Sequence, residues 1–390
     1  MTTHDWIVVG GGVAGSALAY ELKKTGSSVV LLERFATPIN GTRYSYGGIA
    51  YWSGSTPLTQ QLCQESIEIH RQLSDELEAD TQFRELDLVL VIEPGEDVGA
   101  IAQTYRSCWI PPQPISVEFA CELEPLLDPV ALGGALHTTH GHVSPEATTL
   151  AYQHAFQRLG GDLRLAQVTG FMREGDRITG VTTPEGTLSA AGVIVSAGGW
   201  SRELLQQAGL PVPVYFSQAE LIETPLGTPI QMQTLIMPAV LKRFEQEAAA
   251  GAAEVLWDKP GQEIVPPVLD EGVIQLKDGR IRIGQVTRMI STLEPEVDAA
   301  ASEAALRQSV GRFLPSLKDV PGTWSRCPVA FSGDRLPLVG PVPGAAGIHL
   351  FSGFSNPFAL MPPLARRYAH HLTGQPDPLV EDLSPRRFGA

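Results

Sequence analysis

Apolar positions at the start of the chain follow two periods, one typical of strands and one typical of a helix. Residues 6–9 are apolar and partly β-branched, residues 13–24 have apolar side chains at helical spacing, and residues 28–32 are again strand-like. Glycines at positions 10–12 separate the first strand from the helix, and Gly26 ends the helix. The pattern predicts a strand, a tight turn, a helix and a second strand.

Helical spacing recurs farther along the chain, over residues 57–78, 144–159, 239–253 and 299–313. Short strand-like runs separated by polar turns cover residues 163–171, 177–182 and 192–197. These runs predict a meander that returns to the first sheet. From residue 211 to 323 the pattern changes to strands interrupted by the last two helices, which indicates a second domain.

The turn after the first strand has the spacing GxGxxG. Its glycines are Gly10, Gly12 and Gly15, and Val13 and Ala14 lie between the last two. In such a turn the first glycine permits the sharp bend, the second lets the backbone approach a pyrophosphate, and the third lets helix and strand pack closely. The start of the helix presents free N–H groups and a positive dipole end to the phosphates. Glycine turns are common, so the motif alone is weak evidence.

An acidic residue closes the second strand. Glu33 lies 23 positions after Gly10, near the distance at which an acid accepts the ribose hydroxyls of a bound dinucleotide. The strand, the glycine turn, the helix and the acid together predict a dinucleotide site. A carboxylate here also argues against a ribose 2′-phosphate, so these residues leave FAD and NAD as the alternatives.

The composition is that of a packed globular protein, with 43% hydrophobic and 18% charged residues. The formal net charge is -15 and no stretch gathers Lys and Arg, so we do not expect a nucleic acid as partner. No apolar run other than the uncharged residues 7–20 of the glycine motif approaches the roughly 18 residues of a membrane span. We therefore expect a soluble, cytoplasmic protein. Its four cysteines are too scattered for a disulfide framework or a zinc site, and no metal is predicted.

Six short segments in a fixed order extend the evidence over the whole chain. They are residues 8–15, 45–49, 141–145, 195–201, 334–340 and 351–355. With these segments the chain resembles the D-amino-acid oxidase, glycine oxidase and sarcosine oxidase (DAO) family of FAD-dependent oxidoreductases. The resemblance favours FAD over NAD. No second complete GxGxxG follows a strand, so a separate NAD(P)H site is not expected.

The resemblance implies an α/β fold in two parts. One part is a Rossmann-like FAD-binding domain of the glutathione-reductase-like type, and the other is an α+β substrate domain built on an antiparallel sheet. The FAD-binding domain would comprise residues 1–56, 141–210 and 325–390, and the substrate domain residues 57–140 and 211–324.

Besides the glycine motif and Glu33, the resemblance implies a set of residues that bind FAD. They are Arg34, Ser45, Gly47, Gly48, Val168, Ala197, Gly198, Trp200, Gly353, Phe354, Ser355, Asn356 and Phe358. The backbone of Val168 would hold the adenine. The helix that begins near Asn356 would point its N-terminus at the pyrimidine edge of the flavin. The glycines of this set would let the backbone approach the flat isoalloxazine ring.

The family's reaction would be oxidation of a C–N bond in an amine or amino-acid-like small molecule, by hydride transfer to flavin N5, giving an imine. The flavin would be reoxidised by O2 or by a redox carrier, and the residues leave oxidase and dehydrogenase open. We expect noncovalent FAD. The alternative is a covalent link through Cys327, seven residues before Asp334, where sarcosine oxidases bond a cysteine to the flavin.

The substrate clamp of the family is missing from this chain. Glycine and D-amino-acid oxidases have an Arg where this chain has Val329, and monomeric sarcosine oxidases have a Lys where it has Leu360. Two alternatives to C–N oxidation therefore stay open. One is an FAD-bound assembly or binding factor without catalysis, and the other is a tRNA-modifying member of the family, which the negative charge fits poorly.

Three residues are candidates for catalysis. Arg282 stands where a Lys near flavin N5 assists oxygen reduction in the sarcosine oxidases, or it is an Arg on the solvated side of an edge strand. Tyr46 and Tyr51 belong to the aromatic segment 44–52, which would line a pocket beside the flavin or pack the domain interface. Further candidates without a ranking are Arg43, Tyr215, Gln218 and Arg288. We interpret His137, His140 and His142 as structural, on one face of a strand with no carboxylate nearby.

Overall fold

The computed structural model of the chain describes residues 4–37 and 39–389. The strands in chain order are β1 (His4–Val9), β2 (Val29–Glu33), β3 (Gly48–Ile49), β4 (Arg84–Ile92), β5 (Gln113–Ile115), β6 (Gly134–His142), β7 (Asp162–Leu165), β8 (Gly170–Glu174), β9 (Arg177–Thr183), β10 (Gly186–Val195), β11 (Val214–Glu223), β12 (Leu235–Pro238), β13 (Glu263–Gln275), β14 (Ile281–Ile290), β15 (Thr323–Ser332), β16 (Leu338–Pro341) and β17 (Ile348–Ser352).

The helices in chain order are α1 (Val13–Lys24), α2 (Pro57–Glu76), α3 (Val98–Thr104), α4 (Val117–Leu123), α5 (Pro145–Arg158), α6 (Ser201–Gln207), α7 (Arg243–Ala252), α8 (Glu254–Trp257), α9 (Ala299–Phe313), α10 (Pro357–Leu372) and α11 (Pro378–Asp382). Short 3₁₀ turns cover Tyr51–Ser53, Pro129–Ala131, Gly198–Trp200, Pro315–Leu317 and Pro385–Phe388.

Local sequence sets the start of several helices. The side-chain oxygens of Thr56, Ser144 and Asp298 accept hydrogen bonds from backbone N–H groups in the first turns of α2, α5 and α9. These N-caps satisfy donors that have no partner within the helix. The predicted helices over 57–78, 144–159, 239–253 and 299–313 are confirmed, with ends that differ by a few residues.

The first sheet has the order β16-β17-β10-β1-β2-β7. Strands β17, β10, β1, β2 and β7 run parallel, and β16 is antiparallel to β17. The predicted strand–turn–helix–strand unit is confirmed as β1, α1 and β2. The predicted meander is also confirmed, because β8, β9 and β10 pair antiparallel in sequence and β10 then joins β1.

Both faces of the first sheet are buried, as parallel sheets require. On one face, Val8 of β1 belongs to a core with residues of α1, α2, α5 and α10. On the other face, Ile7 and Val9 pack in a second core with Leu204 and Leu205 of α6 and with strand β9. The side chains of β1 therefore alternate between two cores, which explains why residues 6–9 form an almost continuous apolar run.

The second sheet has the order β15-β11-β14-β13-β12-β4-β6-β3, and β5 pairs with β6. Its pairs are antiparallel except that β12 and β4 run parallel. Helix α9 covers one face with Leu306, Val310 and Phe313, which pack against Val273 and Ile283. The opposite face of this sheet is turned toward the first sheet. The mixed α/β architecture with a parallel and a mainly antiparallel sheet confirms the predicted fold class.

The division of the chain into FAD-binding and substrate segments stays a prediction. Some elements, among them α2 and β15, pack with the part to which they were not assigned. Leu62 and Ile67 of α2 lie in the same core as α1 and α10. Strand β15 is paired along its length with β11 in the second sheet.

The three histidines of β6 do not share one face. Nε2 of His137 lies 2.7 Å from Oδ1 of Asp87 on β4, whereas His140 and His142 are buried. The expectation of one face without a carboxylate partner is wrong, because an odd separation puts His137 and His140 on opposite sides of the strand. Burial lowers the pKa of both His140 and His142 to about 3, so both side chains are neutral near pH 7.

Among residues 4–37 and 39–389, no helix combines the length and the hydrophobicity that crossing a bilayer needs.

Candidate functional site

A cavity of about 1140 Å³ opens between the two sheets. One part of its wall comes from the carboxyl ends of β1, β2, β10 and β17, at Val9, Glu33, Ser196 and Ser352. Another part comes from the facing side of the second sheet, for example Leu221. Ligands of open parallel sheets bind at the carboxyl ends of the strands. The volume exceeds that of common small-molecule pockets, roughly 300–1,000 Å³, and leaves room for a dinucleotide and a substrate.

The glycine turn forms one end of this cavity. Gly10 has φ +109°, and a Cβ atom there would lie 2.5 Å from the carbonyl oxygen of Ser196. A Cβ atom on Gly15 would lie 1.9 Å from the carbonyl oxygen of Gly10, so Gly15 permits the contact between α1 and β1. Gly12 faces the cavity at the N-terminus of α1, where the N–H of Val13 donates to Oγ1 of Thr42 at 3.1 Å. These positions fit a pyrophosphate at a helix N-terminus.

The carboxylate of Glu33 is held at the edge of the cavity. Its Oε2 accepts the N–H of Gly11 at 2.8 Å, and its Oε1 accepts the N–H of Phe35 at 2.9 Å. Each carboxylate oxygen has a further lone pair. Two backbone donors thus fix the orientation of the carboxylate and leave it able to accept the hydroxyls of a ribose.

Arg34 follows Glu33 and lies between two aromatic rings. Its guanidinium carbon is 4.1 Å from the ring centroid of Phe35 and 4.1 Å from that of Trp200. Two buried polar atoms of the cavity-lining residues, Nε of Arg34 and Oγ of Ser196, have no hydrogen-bond partner among the described residues. Buried polar groups are normally paired. The arrangement therefore fits a polar ligand at this end of the cavity.

Glycine backbone forms further parts of the cavity wall. Gly48, Gly198 and Gly353 line the cavity, and Gly198 and Gly353 have positive φ angles of 55° and 77°. Helix α10 begins at Pro357, and Asn356 and Phe358 line the cavity beside it. The positive end of the α10 dipole is therefore directed at this part of the cavity. A flat ring system that becomes negatively charged on reduction fits such a wall.

The structure brings nearly all of the predicted FAD-binding residues to one cavity. The described residues of that set line its wall, except Gly15 and Gly47. Gly47 has φ +74°, and a Cβ atom there would lie 2.1 Å from the carbonyl oxygen of Val143. Gly15 and Gly47 therefore act through backbone packing behind the wall.

The two tyrosine candidates have different positions. Tyr46 lines the cavity, and burial raises the pKa of its hydroxyl well above the usual value, so it stays neutral. Tyr51 does not line the described cavity. Its hydroxyl donates to Oε1 of Glu85 at 3.2 Å, and its ring packs edge-on against Trp109. Trp52 lines the cavity instead, with its Nε1 donating to Nδ1 of His140 at 3.0 Å.

Arg282 is the buried member of an otherwise half-buried ionic cluster behind the cavity wall. We use the name Arg282 cluster for Arg43, Glu146, Glu223, Arg280 and Arg282. The side chain of Arg282 is 0% exposed, and β14 lies between β11 and β13, so the alternative of a solvated edge strand is wrong. Its Nε donates to Oε2 of Glu223 at 2.8 Å, and its NH1 donates to the carbonyl oxygen of Ser45. Arg282 thus fixes the loop that precedes Tyr46.

Glu223 is the shared acceptor of the Arg282 cluster. Arg43 donates to both of its oxygens at 3.0 and 2.8 Å, and NH1 of Arg280 lies 3.1 Å from Oε1. Burial alone would raise the pKa of Glu223, but the hydrogen bond from Arg43 and the charge of Arg282 lower it to about 2. Glu223 is therefore ionised in the folded protein.

The other unranked candidates lie outside the described cavity wall, as does Arg43. The hydroxyl of Tyr215 donates to Glu254, Gln218 donates to the carbonyl oxygen of Leu293 at 2.9 Å, and Arg288 pairs with Glu220 at 2.6 Å. These contacts stabilise the second sheet and its connections.

Both positions of the missing clamp, Val329 and Leu360, line the cavity. Two arginines that the sequence did not single out, Arg243 and Arg335, also line it. Arg243 is the first residue of α7, and Arg335 lies in the turn after β15. The sequence holds no signal for either, because each reaches the cavity through the packing of distant segments.

Cys327 lines the cavity and is 2% exposed. Burial raises the pKa of its thiol to about 12. The thiol is therefore protonated near neutral pH, and a thiolate is the form that reacts. The environment thus favours a cofactor held without a covalent bond.

Acid precipitation should release the cofactor from this protein. Because the Cys327 thiol is protonated, we expect a yellow supernatant with the absorption spectrum of free FAD and a colourless pellet. Cys327→Ala should keep the same flavin content as the unchanged protein. A yellow pellet that turns colourless in Cys327→Ala would contradict this prediction.

Comparison with known proteins agrees with this geometry. The family model "DAO: FAD dependent oxidoreductase" matches residues 5–371. The chain is 27% identical to glycine oxidase of Pseudomonas putida over 96% of each chain. It is 24% identical to human mitochondrial dimethylglycine dehydrogenase over 99% of this chain, but it spans only 44% of that protein. A crystal structure of glycine oxidase from Geobacillus kaustophilus aligns over 99% of each chain with a TM-score of 0.80 and 20% identity.

Proposed function

Since the chain belongs to the DAO family of FAD-dependent oxidoreductases, we propose that this enzyme oxidises a C–N bond of an amine or amino-acid-like small molecule. The observation that carries the proposal is that one cavity is lined by both sheets. Besides the glycine turn, its wall includes side chains of the second sheet and of α3, and we use the name chamber for the part that is lined by Leu88, Leu90, Leu235, Met237 and Ile101. A substrate in that chamber would lie beside the expected position of the flavin ring.

The relatives support a nitrogen-containing substrate. The names of glycine oxidase and dimethylglycine dehydrogenase each state an amino acid or its N-methylated derivative. A third relative, 27% identical over 56% of this chain, is a 4-methylaminobutanoate oxidase from Paenarthrobacter nicotinovorans. Each of these substrates has a C–H bond next to an amine nitrogen, and we propose that this chain acts on the same kind of bond.

FAD, when bound, would supply the oxidation as the acceptor of a hydride from the carbon next to nitrogen; the nitrogen would lose a proton to solvent, and water would hydrolyse the resulting imine. The residues of the chain bind and orient. Thr42 and the N-terminus of α1 would hold the pyrophosphate end, and Glu33, which the N–H of Gly11 orients, would hold the ribose. Tyr46 stays neutral against the chamber, and apolar side chains such as Met237 keep water away from the reacting carbon.

The test is anaerobic reduction of the purified holoprotein by a panel of amino acids, N-methyl amino acids and simple amines. We expect at least one group of amines to bleach the flavin absorption near 450 nm, an approximate wavelength for oxidised flavins. α-Hydroxy acids of the same carbon skeleton are the matched controls, because they lack nitrogen. Reoxidation by O2 and by a dye, measured on the reduced protein, then separates an oxidase from a dehydrogenase.

A flavin that no amine reduces, while dithionite still reduces it, would contradict C–N oxidation. That result would favour an FAD-bound factor without catalysis. Binding of tRNA at moderate salt would favour the tRNA-modifying alternative, although a protein with net charge -15 has no general attraction to RNA.

A further inference from the structure

The wall of the cavity carries three cationic side chains in the part of the chain that the structure describes, Arg34, Arg243 and Arg335. Arg34 stacks between Phe35 and Trp200 beside Glu33, at the ribose end. Arg243 and Arg335 belong to the chamber beyond the glycine loops. The same wall also carries the carboxylates of Glu245 and of Asp334, which pairs with Arg387, so Arg243 and Arg335 are the cations available to an anion in the chamber.

Arg243 is held at the flavin end of the chamber. Its NH2 donates to the carbonyl oxygen of Ser355 at 3.3 Å, and Ser355 belongs to the loop before α10. The carboxylate of Asp270 accepts the backbone N–H groups of Lys242 and Arg243 at 2.8 and 3.0 Å, which fixes the start of α7. The guanidinium is therefore positioned by two different segments.

The guanidinium of Arg243 keeps donors free for a ligand. No carboxylate oxygen in residues 4–37 and 39–389 lies within 4.0 Å of it, and among these residues its hydrogen-bond acceptor is the carbonyl oxygen of Ser355. It lies 4.9 Å from the ring centroid of Phe244, and Arg335 lies 5.1 Å from the same ring. Arg335 is exposed, whereas Arg243 is half-buried. A half-buried guanidinium with free N–H groups favours bidentate pairing with a carboxylate.

Two buried carboxylates lie near Arg243, namely Asp270, which accepts the two backbone N–H groups, and Glu247. Glu247 is one turn along α7, and its Oε2 accepts the hydroxyl of Ser355 at 3.1 Å. Burial raises the pKa of Glu247, which weakens its competition for the guanidinium. The charge of Arg243 therefore remains available to the chamber.

Apolar side chains from β4, β12 and α3 form another part of the chamber wall. In the parallel pair of β4 and β12, Leu88 lies opposite Leu235 and Leu90 opposite Met237, so these side chains project on one face. Ile101 of α3 and Trp52 also line the chamber. The hydroxyl of Tyr105 donates to the carbonyl oxygen of Ala239 at 2.6 Å and fixes the end of α3 against the segment that follows β12. Such a wall gains free energy by burying a bulky apolar group.

We propose that the substrate carries a carboxylate that Arg243 pairs and a bulky apolar group that the Leu88, Leu90, Leu235, Met237 and Ile101 wall encloses. This inference rests on the proposed function and narrows it to amino-acid-like anions with large hydrophobic substituents. Arg243 positions the substrate. It thereby replaces the family's Arg and Lys, whose positions are occupied by Val329 and Leu360 in this chain.

The test uses ligands that the protein cannot oxidise. The holoprotein is titrated with cyclohexanecarboxylate, acetate and neutral cyclohexanecarboxamide, and the shift of the flavin absorption band reports binding. We expect cyclohexanecarboxylate to bind at least about tenfold more tightly than either other probe. The carboxamide lacks the charged hydrogen bond to the guanidinium, and acetate lacks the methylene groups that the apolar wall would bury.

Substitutions assign the two halves of the site. Arg243→Gln should raise the Kd for cyclohexanecarboxylate about 10- to 100-fold, and Arg243→Lys should restore part of the affinity. Ile101→Phe should weaken cyclohexanecarboxylate more than acetate, because it fills the apolar wall. The matched control is Arg173→Gln, on the exposed hairpin strand β8, which should change neither affinity nor flavin content.

Unchanged binding in both Arg243 variants, or acetate bound as tightly as cyclohexanecarboxylate, would overturn this inference. Its failure is distinct from failure of the proposed function. If amines bleach the flavin equally in the unchanged protein and in Arg243→Gln, the result supports C–N oxidation and contradicts a role of Arg243 in positioning the substrate. If no amine reduces the flavin but carboxylates bind through Arg243, the result supports the proposed class of ligand and contradicts the proposed C–N oxidation.

Discussion

Gly12→Val should yield folded protein that binds FAD at least about 100-fold more weakly, a loss of about 2.7 kcal/mol. Gly12 faces the cavity at the N-terminus of α1, and a Cβ atom there would already lie 3.1 Å from Oγ1 of Thr42. Two further methyl groups would occupy the space that a pyrophosphate needs next to the N–H of Val13. Flavin absorption of the purified variant, and titration of its apoprotein with FAD, measure the effect.

The control for this substitution is Gly99→Val, in the exposed first turn of α3. A Cβ atom on Gly99 would meet only the side chain of Asp97, at 3.3 Å. This control should keep its full flavin content. Normal flavin content and affinity in Gly12→Val would remove the basis for the site, and the catalytic proposal would fail with it.

Glu223→Gln should destabilise the protein by about 3 kcal/mol or more, seen as a fall of several degrees in the thermal midpoint at pH 7. Three arginines share the carboxylate of Glu223, and its removal leaves Glu146 as the acceptor common to Arg43, Arg280 and Arg282. Arg282 is 0% exposed and cannot recover its hydration without opening the structure. The Ser45 loop should also loosen, because Arg282 donates to its backbone.

The difference in stability between the unchanged protein and Glu223→Gln should depend on pH. The pKa of Glu223 is lowered from 4.5 to about 2, so its ionised form is favoured in the folded state. Its contribution to stability is fully present above about pH 4.5 and is lost as the pH falls toward about 2. The difference in thermal midpoint between the unchanged protein and Glu223→Gln should therefore narrow through that range.

Glu263→Gln is the matched control, because Glu263 is exposed at the start of β13. We expect it to change the unfolding free energy by less than about 0.5 kcal/mol at pH 7. If Glu223→Gln were equally mild, the Arg282 cluster would not be a source of stability.

The dinucleotide end of the site could be predicted because its signals are local. The strand, the glycine turn, the helix and Glu33 lie within 30 residues, and short-range geometry brings them together whatever the rest of the chain does. A Cβ atom at Gly10 would lie 2.5 Å from the carbonyl oxygen of Ser196, and one at Gly15 would lie 1.9 Å from that of Gly10. Residues other than glycine therefore do not fit at these two positions. The sequence pattern therefore determined the βαβ unit, and the resemblance over six segments determined the family and FAD.

The aromatic segment shows where local information ended. Tyr46 and Tyr51 had equal standing in the sequence, but the 3₁₀ turn Tyr51–Ser53 directs Tyr51 toward Glu85 and Trp52 toward the cavity. The direction of each ring depends on where α2 and β4 pack. Nothing within the segment itself encodes that packing.

The charged residues of the site were decided by tertiary structure alone. Arg282 is buried because β14 lies in the middle of the second sheet and two acids from other segments meet it there. Arg243 reaches the chamber because Asp270 and Ser355, from distant parts of the chain, position it. The interaction energy of two charges depends on the distance between them in the folded protein, and the number of residues between them in the sequence does not determine that distance. The sequence by itself determined the cofactor and the fold class, whereas the packing of the two sheets decided which side chains face the substrate.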